Sequence, residues 1–281
     1  MKALDLPAGS CDCHAHVFGP FDRYPLAADR TYTPPLAPCE QYLGMLATAG
    51  MQRGVLVHAG ACGWDHSVTL AALRAGEGRL RGIAVPRLGA GDNELADLHA
   101  AGVRGVRFTR IIGRPGKGIS GVHDLDELEP FAPRLRALGW HAQLWANCSI
   151  IAAEAPRLER LGVPLVIDHL GQLDVTRGVT DASFQSLLGL VREGVAAVKL
   201  TAFRNSRGVP GYGDVRPFHD ALVAANPRQL VWGSDWPFIG MSGEQRPTVE
   251  GVTRIFWDWV SDATLRRQIL ADNPARIYGF D

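Results

Sequence analysis

The chain has 281 residues, 46% of them hydrophobic and 21% charged, with a formal net charge of zero. That balance is ordinary for a globular enzyme, and it lacks the basic surplus of a protein that binds nucleic acid or anionic lipid. The length suits one large core, since (β/α)₈ barrels of roughly 250 residues fold as single domains.

Short apolar, β-branched runs alternate with longer amphipathic stretches along the whole chain. Strands are predicted at 11–18, 54–58, 82–85, 105–108, 141–145, 164–169, 196–200 and 230–233. Helical spacing of apolar residues predicts helices at 40–49, 126–138 and 184–191 among the intervening stretches. Gly50, Gly102, Gly139 and Gly162 each end a helical pattern before a strand, where a C-cap belongs. Eight strand–helix units predict a parallel sheet closed into a TIM barrel, one domain over 1–281. No G-x-G-x-x-G turn supports the competing doubly wound sheet.

Two segments do not fit the unit, a proline- and aromatic-rich loop at 19–38 and a glycine-containing loop at 204–214. Loops that follow barrel strands lie on the catalytic face, so both are candidate substrate loops. No apolar run approaches the roughly 20 residues of a membrane span, and the N-terminus lacks the apolar core of a signal peptide. A cytoplasmic protein with no membrane or nucleic-acid partner is expected, and oligomeric state is left open. The five cysteines are odd in number and scattered, which is no disulfide framework; Cys11 and Cys13 read as small residues of a buried strand.

Ionisable residues gather at the predicted strand ends. The first strand carries Asp12-Cys13-His14-Ala15-His16, and strand residues two apart face the same side, so the imidazoles of His14 and His16 are adjacent. Such a pair can ligate a divalent metal or donate hydrogen bonds to an oxyanion. His169 and Asp235 each follow an apolar run, where a barrel places catalytic groups.

The D-C-H-A-H-V-F-G opening, D-H-L-G after strand six, W-G-S-D-W-P after strand eight and D-N-P-A-R-I-Y near the C-terminus resemble the amidohydrolase superfamily. G-V-R-G-V-R-F at 102–108 and the G-W-H of strand five are similar to the branch that contains 2-pyrone-4,6-dicarboxylate lactonase. The resemblance implies that Asp235 is a general base that activates water. It also implies that His14, His16 and His169 polarise a lactone carbonyl, directly or through one metal. Two cofactor states follow, either none or a single zinc-like divalent ion held by His14, His16, His169 and Asp235. A binuclear centre is not expected, because strand four ends in Val106-Arg107-Phe108-Thr109 and strand five in Gln143-Leu144-Trp145-Ala146-Asn147, with no second ligand set. His141 starts strand five and reads as structural.

The implied substrate is a small carboxylated lactone, of the pyrone-dicarboxylate, muconolactone or sugar-acid type. The implied reaction is hydrolysis, with lactone isomerisation and metal-dependent decarboxylation of an aromatic or muconic acid as alternatives and a silent ligand-binding barrel as a third. Arg107 matches a carboxylate-binding arginine of that branch. Gln172 stands where a further arginine is expected, and Trp145 where a tyrosine is expected. Arg204, Asn205 and Arg207 are candidates from the loop after strand seven, and Cys62, His58 and His66 from the end of strand two and the loop after it. Trp236 and Phe238 are candidates for the pocket wall. Arg110 and Arg114 flank a basic loop, while Asp168 reads as orienting a neighbour or capping a turn. His99, His123 and His219 read as surface residues.

Overall fold

A computed structural model describes residues 4–114, 118–208 and 211–281, with the backbone alone at Glu244. The first three residues, the tip of the basic loop after strand four (115–117) and residues 209–210 of the loop after strand seven lie outside it. One parallel sheet runs in sequence order through β1 (Cys11–Ala15), β2 (Arg53–Val57), β3 (Leu80–Ala84), β4 (Val103–Arg110), β5 (His141–Ala146), β6 (Leu165–Ile167), β7 (Ala196–Lys199) and β8 (Leu230–Val231). The seam closes where Cys13 N–H donates to the Trp232 carbonyl at 2.9 Å, Asp235 N–H to the His14 carbonyl at 2.8 Å, and His16 N–H to the Trp236 carbonyl at 2.8 Å. The predicted barrel is therefore the observed one.

Helices between the strands cover the outside: α1 (Cys39–Ala49), α2 (Ser67–Ala75), α3 (Asp92–Ala100), α4 (Leu128–Leu138), α5 (Cys148–Arg160), α6 (Ala182–Arg192), α7 (Arg216–Ala225) and α8 (Val249–Trp259). Two short helices, α9 (Ala263–Arg267) and α10 (Asn273–Tyr278), follow. Left-handed Gly50 and Gly139 end α1 and α4, as their positions predict. The Asp181 carboxylate caps α6 by accepting from Ser183 and Phe184 N–H at 3.1 and 3.3 Å.

Alternation along each strand sorts its residues into two cores. Along β2, Leu56 joins the large cluster under the helices, while Val55 and Val57 join a smaller one with Cys11, Cys13, Ile83, Val231 and Tyr278 of α10. The register slips between Asp12 and Ala15 of β1. Bulges of this kind re-aim side chains beside active sites, and this one falls on His14.

Four strands are shorter than predicted, β7 by the single residue Leu200. β6 stops at Ile167 because His169 and Leu170 adopt left-handed φ of 50° and 51°. β8 stops at Val231 as the chain turns toward Asp235 (φ 55°). β1 stops at Ala15, and Phe18 instead bridges Ala37 in the loop that follows. Two histidines expected at the surface are interior. His123 is buried with Nδ1 on Glu127 and ring contacts to Phe108 and Phe131, and His219 is buried against Phe256 and Trp259. Apolar partners from distant segments, invisible in local polarity, account for both. His99 is half-buried and accepts a hydrogen bond from Trp140 Nε1 at 2.9 Å.

Candidate active site

The bulge in β1 and the turns after β6 and β8 bring His14, His16, His169 and Asp235 together. His14 Nε2 and His16 Nε2 lie 3.3 Å apart. Asp235 Oδ1 sits 3.6 Å from His14 Nε2 and 3.4 Å from His16 Nε2, and Asp235 Oδ2 sits 3.8 Å from His169 Nε2. The rings of His14 and His169 are 4.6 Å apart. His16 donates Nδ1–H to the Val57 carbonyl at 2.7 Å, which leaves its Nε2 lone pair facing the cluster. Asn205 fixes the other side by donating Nδ2–H to the His169 carbonyl at 2.9 Å.

Asp12 holds β1 and the end of β8 in register from behind. Its carboxylate accepts from Ser234 N–H at 2.7 Å, Ser234 Oγ–H at 2.6 Å and His14 N–H at 3.2 Å. Burial lifts its pKa to about 6 against those hydrogen bonds. Gly233 permits the close approach, because a Cβ there would stand 2.7 Å from His14 Cβ and 2.8 Å from His14 N.

Charge is concentrated at this end of the barrel. Burial works to raise the Asp235 pKa, but Arg204, then His169 and the other histidines, hold the carboxyl well below its usual range. Arg204 donates Nε–H to Asp235 Oδ2 and Nη1–H to the Ile239 carbonyl at 2.9 Å. Asp168 is likewise held low against burial, by Lys199, His14 and Arg107. Arg107 grips Asp168 Oδ2 through Nε and Nη2 at 3.0 and 2.9 Å and lies over the Trp145 ring. Burial keeps His169 neutral near pH 7, with its pKa lowered to about 4, and also lowers that of His14.

A cavity of about 540 Å³ opens over this floor, its walls including Tyr32, His58, Arg107, Trp145, Gln172 and Arg204. Arg114 also lines it and shares the Trp145 ring with Arg107. His58 faces the cavity while its Nε2–H is committed to the Gly63 carbonyl at 2.8 Å, and its ring lies against that of His66.

Other expected substrate residues stand elsewhere. The Arg207 side chain is 68% exposed and turns to Asp174, because the loop after β7 carries it outward past Arg204. Trp236 packs on Tyr42 rather than on the cavity, since the strained turn at Asp235 points the next side chain into the wall. Arg110 is engaged by Asp124, Asp126 and Glu154. Asp168 Oδ2 accepts from Arg107 and from Gln143 Nε2–H at 3.2 Å.

Sequence reasoning passed over Lys199, Gln143, Asp12 and Ser234. Lys199 is fully buried and reaches His14 Nδ1 at 3.2 Å and Gln143 Oε1 at 2.8 Å. The signal was a lysine inside the apolar run Ala196-Ala197-Val198-Lys199-Leu200, because lysine is almost never fully buried unless paired.

Two overlapping groups, His14/His16/Asp235 and His14/Asp168/His169, present ligand atoms within 4.8 Å of one another. The cluster is thus a candidate metal centre with zinc-type donors.

Comparison with known proteins agrees with this geometry. The chain is 37% identical over 276 residues to the 4-sulfomuconolactone hydrolase of Hydrogenophaga intermedia, covering 98% of this chain and 90% of that one. It is 33% identical over 288 residues to the 2-pyrone-4,6-dicarbaxylate hydrolase of Comamonas testosteroni, covering 97% and 91%. The crystal structure of a probable 2-pyrone-4,6-dicarboxylic acid hydrolase from Acinetobacter baumannii, with citric acid bound, superposes with a TM-score of 0.84 at 27% identity, over 97% of this chain and all of that one. A family model described as Amidohydrolase matches residues 11–280. A match that runs from the first strand to the penultimate residue makes the chain a member of the amidohydrolase family.

Proposed function

We propose that the chain hydrolyses a small anionic lactone, of the sulfomuconolactone or pyrone-dicarboxylate kind, with Asp235 activating the water. One observation carries this reading: the ionised Asp235 carboxylate lines, with His16 and His169, a cavity whose walls bear Arg107, Arg114 and Arg204, and the buried His14 stands directly behind it. Guanidinium groups match carboxylate and sulfonate oxygens. The relatives act on acidic lactones by name, and one solved neighbour holds a tricarboxylic acid.

The chemistry follows from the placement. Asp235 Oδ2 is occupied by Arg204, so Oδ1, beside His14 and His16, takes the proton as the water oxygen bonds to the lactone carbonyl carbon. Negative charge develops on the carbonyl oxygen, and the neutral imidazoles of His14 and His169 offer N–H groups to it. Collapse breaks the ring C–O bond, and Asp235 returns the proton to the departing oxygen. The ring-opened acid ionises, so each turnover releases at least one proton.

The residues also fit a single divalent ion, held by His14 Nε2, His16 Nε2 and Asp235. When bound, such an ion would acidify water and draw electron density from the carbonyl. A second ion at His14, Asp168 and His169 is opposed by Arg107 and Lys199, both already on Asp168.

Offering 4-sulfomuconolactone and 2-pyrone-4,6-dicarboxylate separately tests the reading, with proton release, ring absorbance and carbon dioxide followed together. Ring loss with at least one proton released and no carbon dioxide is expected. Carbon dioxide evolution would make the enzyme a decarboxylase, and conversion without proton release an isomerase. Metal analysis with activity before and after chelation decides whether an ion takes part.

A further inference from the structure

The cavity has two unlike parts. Asp235, Arg107 and Arg204 give one of them strong charge. The other is lined by Val85, just past β3, and by Ile119 and Val122 of the loop after β4. In a barrel whose eight strands follow sequence order, β3 and β4 lie across the mouth from β8, so this apolar wall faces Asp235. Val85 is buried, while Ile119 and Val122 are half-buried and keep hydrocarbon surface open to the cavity.

The wall is held in place by backbone contact. Gly121 has a φ of 70°, and a Cβ there would stand 2.2 Å from the Gly63 carbonyl oxygen. Only glycine fits, so the loops after β2 and β4 meet backbone to backbone at this point. A Cβ on Gly60 would stand 3.0 Å from Val122 Cγ2, which therefore lies over bare backbone. His58, at the end of β2, donates Nε2–H to the Gly63 carbonyl at 2.8 Å, and Asp29 of the loop after β1 accepts from Ser120 N–H at 3.2 Å. Three loops thus fix the wall before any ligand arrives.

The reaction above does not use this wall. A small ring with anionic groups engages the arginines, whereas a cavity of about 540 Å³ is of the size that encloses a drug-sized ligand. Water over a fixed apolar surface is displaced favourably by a hydrocarbon group. We propose that Val85, Ile119 and Val122 form a subsite for an apolar arm of the substrate, carried on the side of the ring away from the carbonyl that Asp235 serves. The substrate class is then an anionic lactone bearing an alkyl or aryl substituent. Its placement against the carbonyl rests on the hydrolytic reading, whereas the subsite for an anion with an apolar tail belongs to the free enzyme.

Calorimetric titration of the enzyme with n-alkylmalonates, from methyl to butyl, tests the subsite without turnover. The malonate head supplies charge for the arginines, and the tail grows by one methylene at a time. Affinity is expected to rise about 4-fold per methylene, the gain for hydrocarbon that leaves water. In I119T/V122T, with folding checked by circular dichroism, the gradient is expected to flatten, because the threonine hydroxyls hold water on the wall. V122T alone serves if the double variant does not fold. Butylmalonate that binds no tighter than methylmalonate, or not at all, overturns the proposal, as does a folded variant that keeps the full gradient. A rising series in an enzyme that opens neither lactone would fail the hydrolytic reading and leave the subsite standing, and ring opening with a flat series would do the reverse.

Discussion

Asp235 combines three burdens in one residue: a left-handed backbone, a buried charge and a contact with three imidazoles. Backbone strain of about 1–3 kcal/mol persists where the surroundings over-determine it, and here it swings the carboxylate off the end of β8 into the mouth. Asp235→Asn keeps the shape and loses the base, so kcat is expected to fall about 100- to 10,000-fold with the fold intact, checked by steady-state kinetics and a thermal melt. The neutral His169 sets an acid limit. Its pKa is lowered to about 4 by burial, so kcat/KM should hold through pH 6 and decline only as pH falls through about 4. At this scale the sequence was readable where an ionisable residue follows an apolar run, as at His169 and Asp235. Lys199 was not, because its partners His14, Gln143 and Asp168 come from β1, β5 and the turn after β6.

The seam between β8 and β1 is the element on which the site depends. Gly233 lets the strands meet, so Gly233→Ala forces His14 aside. A loss of about 1–3 kcal/mol in urea unfolding is expected from the overpacking, with a large fall in kcat. Ser234→Ala acts through the same seam, since it removes the 2.6 Å bond to the buried Asp12 carboxylate. About 1–3 kcal/mol of stability should go with it. Strand positions were legible from apolar runs, but strand ends were not. β6 and β8 stop where His169 and Asp235 leave the extended region, and local hydrophobicity carries no record of that turn. Arg207 shows the same limit, for its loop fixes its direction and its residue type does not.

Across the whole molecule, repeated strand–helix alternation made the barrel legible, because parallel strands buried on both faces read as apolar runs. The interior also predicts acid sensitivity. Burial lowers His58 and His169 to about 4 and His66 and His141 to about 3. The unfolded chain protonates these groups from about 6.5 downward, while the folded chain resists until about 4 or 3, so stability falls with pH across that window. Asp12, raised to about 6, works in the opposite sense between about 6 and 4 but is a single group. A cost of about 2 kcal/mol per histidine at pH 5 should lower the melting temperature by on the order of 10 °C relative to pH 7. An unchanged melting temperature would mean that these histidines are already charged in the fold.

The clamp between Asp12 and Ser234 joins residues 222 positions apart. On the proposed mechanism His14 and His16 wait for a carboxylate more than 200 positions further along the chain, so a chain cut before Asp235 lacks the base that activates water. On that mechanism turnover requires β1 and the end of β8 to have met, so the recovery of activity during refolding should report closure of the barrel.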